Sequence, residues 1–304
     1  MKSFNSFLNE EAVLAESADM LLEKLITFGG KAYPKFGNII IMAGGAGSGK
    51  GFVKDTLVGA EGKVFDVDEL KTLASKAPRI IKRIKDELGT DLPALASNLK
   101  DPENVGKLHG IMGDYLKLDS RVKKSLYTSI FAADPDRKPN IIFDVTLKDL
   151  QKLEKITRDA SMLGYDKSNI HIVWVINDIE VAQAQNKARD RVVPSEILIN
   201  THRGAANTMG DILNMGKSLK RYMDGDIVFA FNKVGVDSTL VKSKTGGKKI
   251  GMKDDPKKKG GSYVKDANYF YVKRKGKAPI AVDKMEADVR RKIASYVPKG
   301  VEWS

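Results

Sequence analysis

Cysteine is absent from this chain of 304 residues. That excludes disulfides and thiolate metal sites and agrees with a reducing compartment. Histidine is scarce: His109, His171 and His202 are the only three, and no HxxxH or HExxH spacing links them. A zinc enzyme is therefore not expected. No apolar run approaches the roughly 18–20 residues that cross a bilayer, so a soluble protein with no membrane partner is expected. The first residues lack a basic stretch followed by an unbroken apolar core, so no secretory signal is read. No repeat of solenoid or propeller length is found.

What is present is a chain able to build a core, since 42% of its residues are hydrophobic. The length suits one large domain or two ordinary ones. The formal net charge is +13, and it is unevenly placed. Residues 236–304 hold 18 Lys and Arg against 8 Asp and Glu, a balance of +10, which leaves +3 for the first 235.

Helical spacing of Phe4, Phe7, Leu8, Val13, Leu14, Leu21, Leu22 and Leu25 predicts an N-terminal helix over 3–28, closed by Gly29-Gly30. Short apolar runs predict buried strands at 38–43, 63–67, 140–144, 170–176 and 227–231. Helices are predicted over much of 69–135, with a loop around 89–102, and then over 147–162, 179–189 and 192–209. Strands alternating with helices imply an α/β fold, a doubly wound parallel sheet of about five strands. Residues 242–261 read as a lysine- and glycine-rich loop, followed by a strand or hairpin at 263–272 and a short helix at about 283–296. Three units are expected: an N-terminal helix (1–30), the α/β domain (31–235) and a basic extension (236–304).

The strongest local signal is Gly44-Gly45-Ala46-Gly47-Ser48-Gly49-Lys50 followed by Gly51, a GxxxxGK pattern between a predicted strand and a predicted helix. Glycines let the backbone turn its N–H groups onto a phosphate, and the helix beginning near Lys50 adds its positive end. Lys50 supplies a point charge for β- and γ-phosphates. The hydroxyl residue that usually follows the lysine and helps hold Mg²⁺ is missing. Gly51 stands there and Phe52 follows, so the metal must depend on carboxylates, water and phosphate oxygens.

Period-2 alternation along the second strand places Asp66 and Asp68 on one side at the carboxyl edge, where sheets of this class bind ligands. Either reads as a group near the reaction, and Asp68 before Glu69-Leu70 also reads as a helix cap. Asp144 closes the third strand, where a magnesium-shell carboxylate is placed in phosphate-loop proteins. Val145 stands where many hydrolytic motors carry Glu, which points to group transfer. Arg189 and Arg191, in KARDRVVPSE, offer bidentate pairing to phosphate oxygens from a segment suited to closing over a reacting group. His202 and Arg203 are weaker candidates for such a role and read more readily as surface residues.

In order and approximate spacing, GGAGSGKG, DVDELK, NIIFDVT and IHIVWVINDIEVAQAQNKARDR resemble the zeta-toxin group of adenylate-kinase-like phosphate-loop kinases, over about residues 36–232. The resemblance implies transfer of the ATP γ-phosphate, with Mg²⁺, to a hydroxyl. It places the catalytic carboxylate at Asp68, with Asp66 and Asp144 near the metal, and the lid arginines at Arg189 and Arg191. The acceptor does not transfer: members act on a nucleotide sugar, nucleic-acid ends, antibiotics or small metabolites.

MKSFNSFLNEEA resembles the capsid-targeting peptides of internal head proteins in T-even-like bacteriophages. There a prohead protease cuts after Leu-x-Glu or Ile-x-Glu, which here fits Leu8-Asn9-Glu10, Leu14-Ala15-Glu16 and Leu21-Leu22-Glu23, with the first, at Glu10, preferred. This resemblance implies a protein of the host cytoplasm that is also packaged in the phage head. At the basic end, Lys248, Lys249, Tyr269, Tyr271, Lys273 and Arg274 combine phosphate-neutralising cations with rings that can stack on bases. The same residues also read as a solvated loop beside a half-buried strand. A DNA-associated head protein with an inactive nucleotide fold is the alternative reading.

Overall fold

The computed structural model describes residues 36–231 apart from 57, 59, 66 and 190, and residues 269–303 apart from 302. Outside these it describes 26, 28, 29, 239–241, 253–254 and 262–264. Glu10, Lys248, Lys249 and most of the N-terminal helix expected at 3–28 lie outside the described residues, as does Asp66.

The strands are β1 (Ile39–Ala43), β2 (Lys63–Phe65), β3 (Ile141–Asp144), β4 (Ile170–Ile176), β5 (Ile227–Phe231), β6 (Thr239–Val241), β7 (Lys253–Asp254), β8 (Ser262–Val264) and β9 (Tyr269–Lys273). The main sheet runs β2-β3-β1-β4-β5-β9; its first five strands are parallel, and β9 pairs antiparallel with β5. Every residue of β1, β4 and β5 is buried, as expected of parallel strands covered on both faces. Strand alternation sorts the core into two layers. Ile39, Ile41, Trp174 and Phe229 face one, and Ile40, Met42, Val173 and Val228 face the other.

The helices that position the site are α1 (Lys50–Thr56), α2 (Val67–Ser75), α3 (Pro78–Leu88), α4 (Leu92–Ser97), α5 (Pro102–Gly110), α6 (Leu118–Phe131), α7 (Leu150–Met162), α8 (Ile179–Ala188), α9 (Ser195–Asn214) and α10 (Ala287–Tyr296). Buried residues from α2 to Leu116, among them Ala74, Ile84, Leu92, Leu108 and Met112, form a third, purely helical core. α4 occupies the stretch expected to be a loop: Asp91 caps it by accepting the Ala94 amide, and Pro93 sits in its first turn, where a missing N–H costs nothing.

Four expectations need correction. The predicted N-terminal helix does not reach 28: Ile26 forms a parallel bridge with Val58, and Ile26 and Phe28 are buried in the second layer. β2 spans Lys63–Phe65 and α2 starts at Val67, so Asp68 lies on a helix and the strand expected to run to 67 does not extend to it. The predicted hairpin at 263–272 divides between two sheets, since β8 pairs with β6 and β7 while β9 completes the main sheet; β7 lies inside the stretch expected to be a loop. The C-terminal residues are not an appendage. Val272, Ile293, Val301 and Trp303 are buried in the first layer with β4 and β5.

Buried polar groups fasten the sheet's lower end. The Asp226 amide donates to His171 Nδ1 (2.9 Å), and the Asp226 carboxylate accepts from the amides of Gly29 (2.6 Å) and Lys275 (2.8 Å). Three distant chain segments meet there. Burial holds the His171 pKa below the ordinary histidine value; the Asp226 carboxylate, 3.4 Å from Nδ1, acts in the opposite sense. Burial prevails, because the Nδ1 lone pair is already used by the Asp226 amide and the ring stays neutral. Below pH about 6.5 the unfolded chain binds a proton that the folded chain refuses, so stability falls as pH falls. Urea unfolding at pH 7.5 and 5.5 is expected to show a lower midpoint at the acid value. An equal midpoint would contradict the neutral-histidine assignment.

Candidate functional site

The glycine-rich loop leaves β1 at the centre of the sheet, where β3 lies on one side and β4 on the other. Chain connections leave to opposite sides at such a point, opening a crevice at the carboxyl ends of the strands. Gly47 has φ 72°, and a Cβ there would lie 2.6 Å from the Ala182 carbonyl of α8. Glycine is therefore required by both conformation and space. Lys50, first residue of α1, donates from Nζ to the carbonyls of Gly44 (2.9 Å) and Gly45 (3.3 Å) and lies 3.6 Å from Asp144 Oδ1 at the end of β3. The lysine and the β3 carboxylate thus come together across one end of the sheet.

A cavity of about 710 Å³ opens beside them, lined by the loop from Ala46 to Gly51, by Asp144 to Lys152 in part, and by Lys71, His109, Gln185 and Arg189. Lys71 on α2 is buried and its ammonium donates to His109 Nδ1 on α5 at 2.8 Å. The helical core therefore supplies the wall that faces the loop. Lys148 and Lys152 add further positive charge near the rim, so the cavity suits an anionic ligand. Leu147, in the turn after β3, is buried with a left-handed φ of 54°. A non-glycine residue held there costs about 1–2 kcal/mol, so the turn between Asp144 and Lys148 is set by its surroundings.

Of the residues expected at the site, the structure brings together the loop, Lys50, Asp144 and Arg189. Arg189 caps the carboxyl end of α8 and is exposed; Arg191 is half-buried and not part of the cavity lining. Asp68 lies in α2, and its side chain is outside the described residues. Phe52 on α1 is 48% exposed and offers no oxygen to a metal. Among the described residues no group of three or more His, Cys, Asp or Glu is placed to hold a metal. Asp144 next to the phosphate loop is nevertheless the donor type and position that a magnesium ion shared with phosphate oxygens needs.

Two contributions were not anticipated from sequence. Asn186 brackets the turn that carries both arginines: its Nδ2 donates to the Val193 carbonyl (2.6 Å) and its Oδ1 accepts the Val193 amide (3.0 Å). An Asn followed seven residues later by Val-Pro is no recognised signal. His202, expected at the surface, is only 7% exposed and lies against the phosphate loop.

At the basic end, Tyr269 and Tyr271 are half-buried against the second core layer, and the Arg274 guanidinium lies 3.3 Å over the Tyr271 ring. Lys273 must be corrected as a nucleic-acid contact. It is 2% exposed, and its ammonium donates to Asp224 Oδ1 (2.9 Å) and the Gly225 carbonyl (2.9 Å). A phosphate could reach it only by breaking a buried ion pair. No described helix is long and apolar enough to cross a membrane.

No family model matches the chain, and no curated protein does. Among solved structures it is similar to one from the PezAT chromosomal toxin–antitoxin system of Streptococcus pneumoniae. That match has 15% identity over 76% of this chain and 78% of that one, with a TM-score of 0.37. It is also similar to the AvrRxo1-ORF1:-ORF2 structure with ATP, at 10% identity, 66% and 55% coverage and a TM-score of 0.38. TT1252 from Thermus thermophilus matches at 19% identity, 65% and 90% coverage and a TM-score of 0.32. With TM-scores this low, function rests on the chain's own strand order, loop and cavity.

Proposed function

We propose that the protein is a phosphate-loop phosphotransferase that uses ATP and Mg²⁺ and delivers the γ-phosphate to a hydroxyl. The observation that supports this most directly is the convergence of the glycine-rich loop, Lys50 and Asp144 at the sheet's switch point, at the mouth of a cationic cavity. Loop amides and the α1 N-terminus bind the phosphates, and Lys50 neutralises the charge that grows on the oxygens between the donor and the transferred group. Magnesium, when bound beside Asp144, would supply charge neutralisation across the phosphate oxygens. Asp68 is assigned as the group that accepts the acceptor's hydroxyl proton, and Asp66 as an outer partner of the metal site. Arg189 meets the transferring group from the cavity wall, and Arg191 joins it when the segment braced by Asn186 closes.

The acceptor is a nucleotide sugar, another small molecule or a nucleic-acid end. Incubation with γ-labelled ATP and panels of each class tests the reading. Labelled product in one panel is expected; absence of both product and ATP binding would sink it. Arg189→Ala is expected to lower kcat by about 10²-fold, a typical loss for one donor to a developing charge. The KM for ATP should change by only a few-fold, as steady-state kinetics would show.

The N-terminal resemblance supports a second proposal, that the protein is of bacteriophage origin and is cut after Glu10 by a prohead protease before packaging. Mass spectrometry of virion proteins should find a chain starting at Glu11; an uncut chain, or none, would refute it.

A further inference from the structure

We propose that His202 is a positioning residue that holds the phosphate loop in its nucleotide-ready shape, an inference that rests on the nucleotide reading of that loop. α9 lies alongside the loop and touches it through two consecutive side chains. His202 Nε2–H donates to the Ala46 carbonyl at 2.8 Å, and Thr201 Oγ1 accepts the Ala46 amide at 3.1 Å while donating its own proton to the Leu198 carbonyl (2.7 Å). Both polar groups of Ala46 are therefore held from one helix. The ring also lies against Gly45, where a Cβ would come within 2.1 Å of His202 Cδ2. Gly45 is thus explained by the imidazole rather than by a phosphate.

The consequence reaches Lys50. Its two carbonyl partners are Gly44 and Gly45, the latter pressed against the ring, so the imidazole helps fix where the lysine rests. A phosphate loop works only if its carbonyls turn away from the anion and its amides turn toward it. His202 draws the Ala46 carbonyl outward, Thr201 takes the Ala46 amide and the Gly45 carbonyl accepts the Ser48 amide (3.2 Å), so phosphate falls to the loop's other amides. α9 is a firm support: Ala206, Met209, Ile212 and Leu213 are buried in the first core layer. The same helix braces the turn after β3, because a Cβ on Gly204 would lie 2.7 Å from Lys148 Cβ. One strut therefore sets both walls of the phosphate end.

The test is ATP affinity measured by calorimetry on the full chain, beside the melting temperature of each variant. His202→Leu fills similar space without a donor and is expected to weaken ATP binding about tenfold, the loss of one good hydrogen bond. His202→Gln can still present an N–H and is expected to recover most of the affinity, which a purely space-filling role would not predict. Gly45→Ala should weaken binding by more than tenfold, and Gly45→Ala combined with His202→Ala should bind better than Gly45→Ala alone, because the clash is gone. Equal affinity for wild type and His202→Leu, or no recovery in the double variant, overturns the positioning role. Failure of the wild type to bind ATP at all overturns the nucleotide reading and this inference with it.

Discussion

Lys50→Ala is expected to lower phosphoryl transfer by a factor of about 10² to 10³ while leaving the fold in place. The side chain is the cation nearest the loop's phosphate seat, with its Nζ 3.6 Å from Asp144 Oδ1. Removing it takes away the charge that offsets the growing negative charge on the phosphate oxygens, and it leaves Asp144 facing the same oxygens with one less counter-charge. Coulomb repulsion then adds to the lost attraction. The Lys50 side chain is only 15% exposed and its acceptors are the buried Gly44 and Gly45 carbonyls, so a modest loss of stability is expected beside the much larger loss of transfer. The measurement is label transfer from γ-labelled ATP at equal concentrations of wild type and variant, with melting curves alongside. Equal transfer by both proteins would show that the loop does not do the chemistry.

The parts of the site that were legible in the sequence are those whose signal is local. Ile170–Ile176 and Ile227–Phe231 were read to the residue, because strands buried on both faces appear as unbroken apolar runs. The phosphate loop was read because its spacing lies within eight residues. What escaped depends on partners far along the chain. His202 sits in a polar-looking THRG stretch, and its burial is decided by a loop 156 positions earlier. Lys273 ends a basic, aromatic strand that reads as an exposed edge, yet Asp224, 49 positions before it, draws the ammonium inside. Tyr269–Lys273 was recognisable as extended chain, but pairing with β5 instead of β8 follows from which sheet edge is free. At Asp66-Val67-Asp68, strand and helix-start signals overlap in three residues, and the helix begins at Val67, so the strand period does not extend to Asp68.

The same long-range pairing predicts the largest stability effect. Trp303→Ala is expected to destabilise the protein by about 3–5 kcal/mol, on the order of 10 °C in melting temperature. Trp303 is 1% exposed although it lies at the end of the segment expected to be a basic extension. Its ring meets Trp174 of β4 at 5.3 Å and Phe229 of β5 at 5.8 Å, and its Nε1–H donates to the Ala206 carbonyl of α9 at 2.8 Å. Truncation would leave a cavity between sheet and helix that neither rigid element can close. Because α9 also carries His202 and Thr201, ATP affinity should weaken with stability if the packing under that helix loosens. Phe131→Ala is the matched control: that ring is 73% exposed, so its loss should stay within about 0.5 kcal/mol. Thermal and urea unfolding of the two variants decide the matter. A Trp303→Ala protein that melts with the wild type would show that this burial contributes little to stability. A large loss would place the basic segment's net charge on a chain that is itself part of the core.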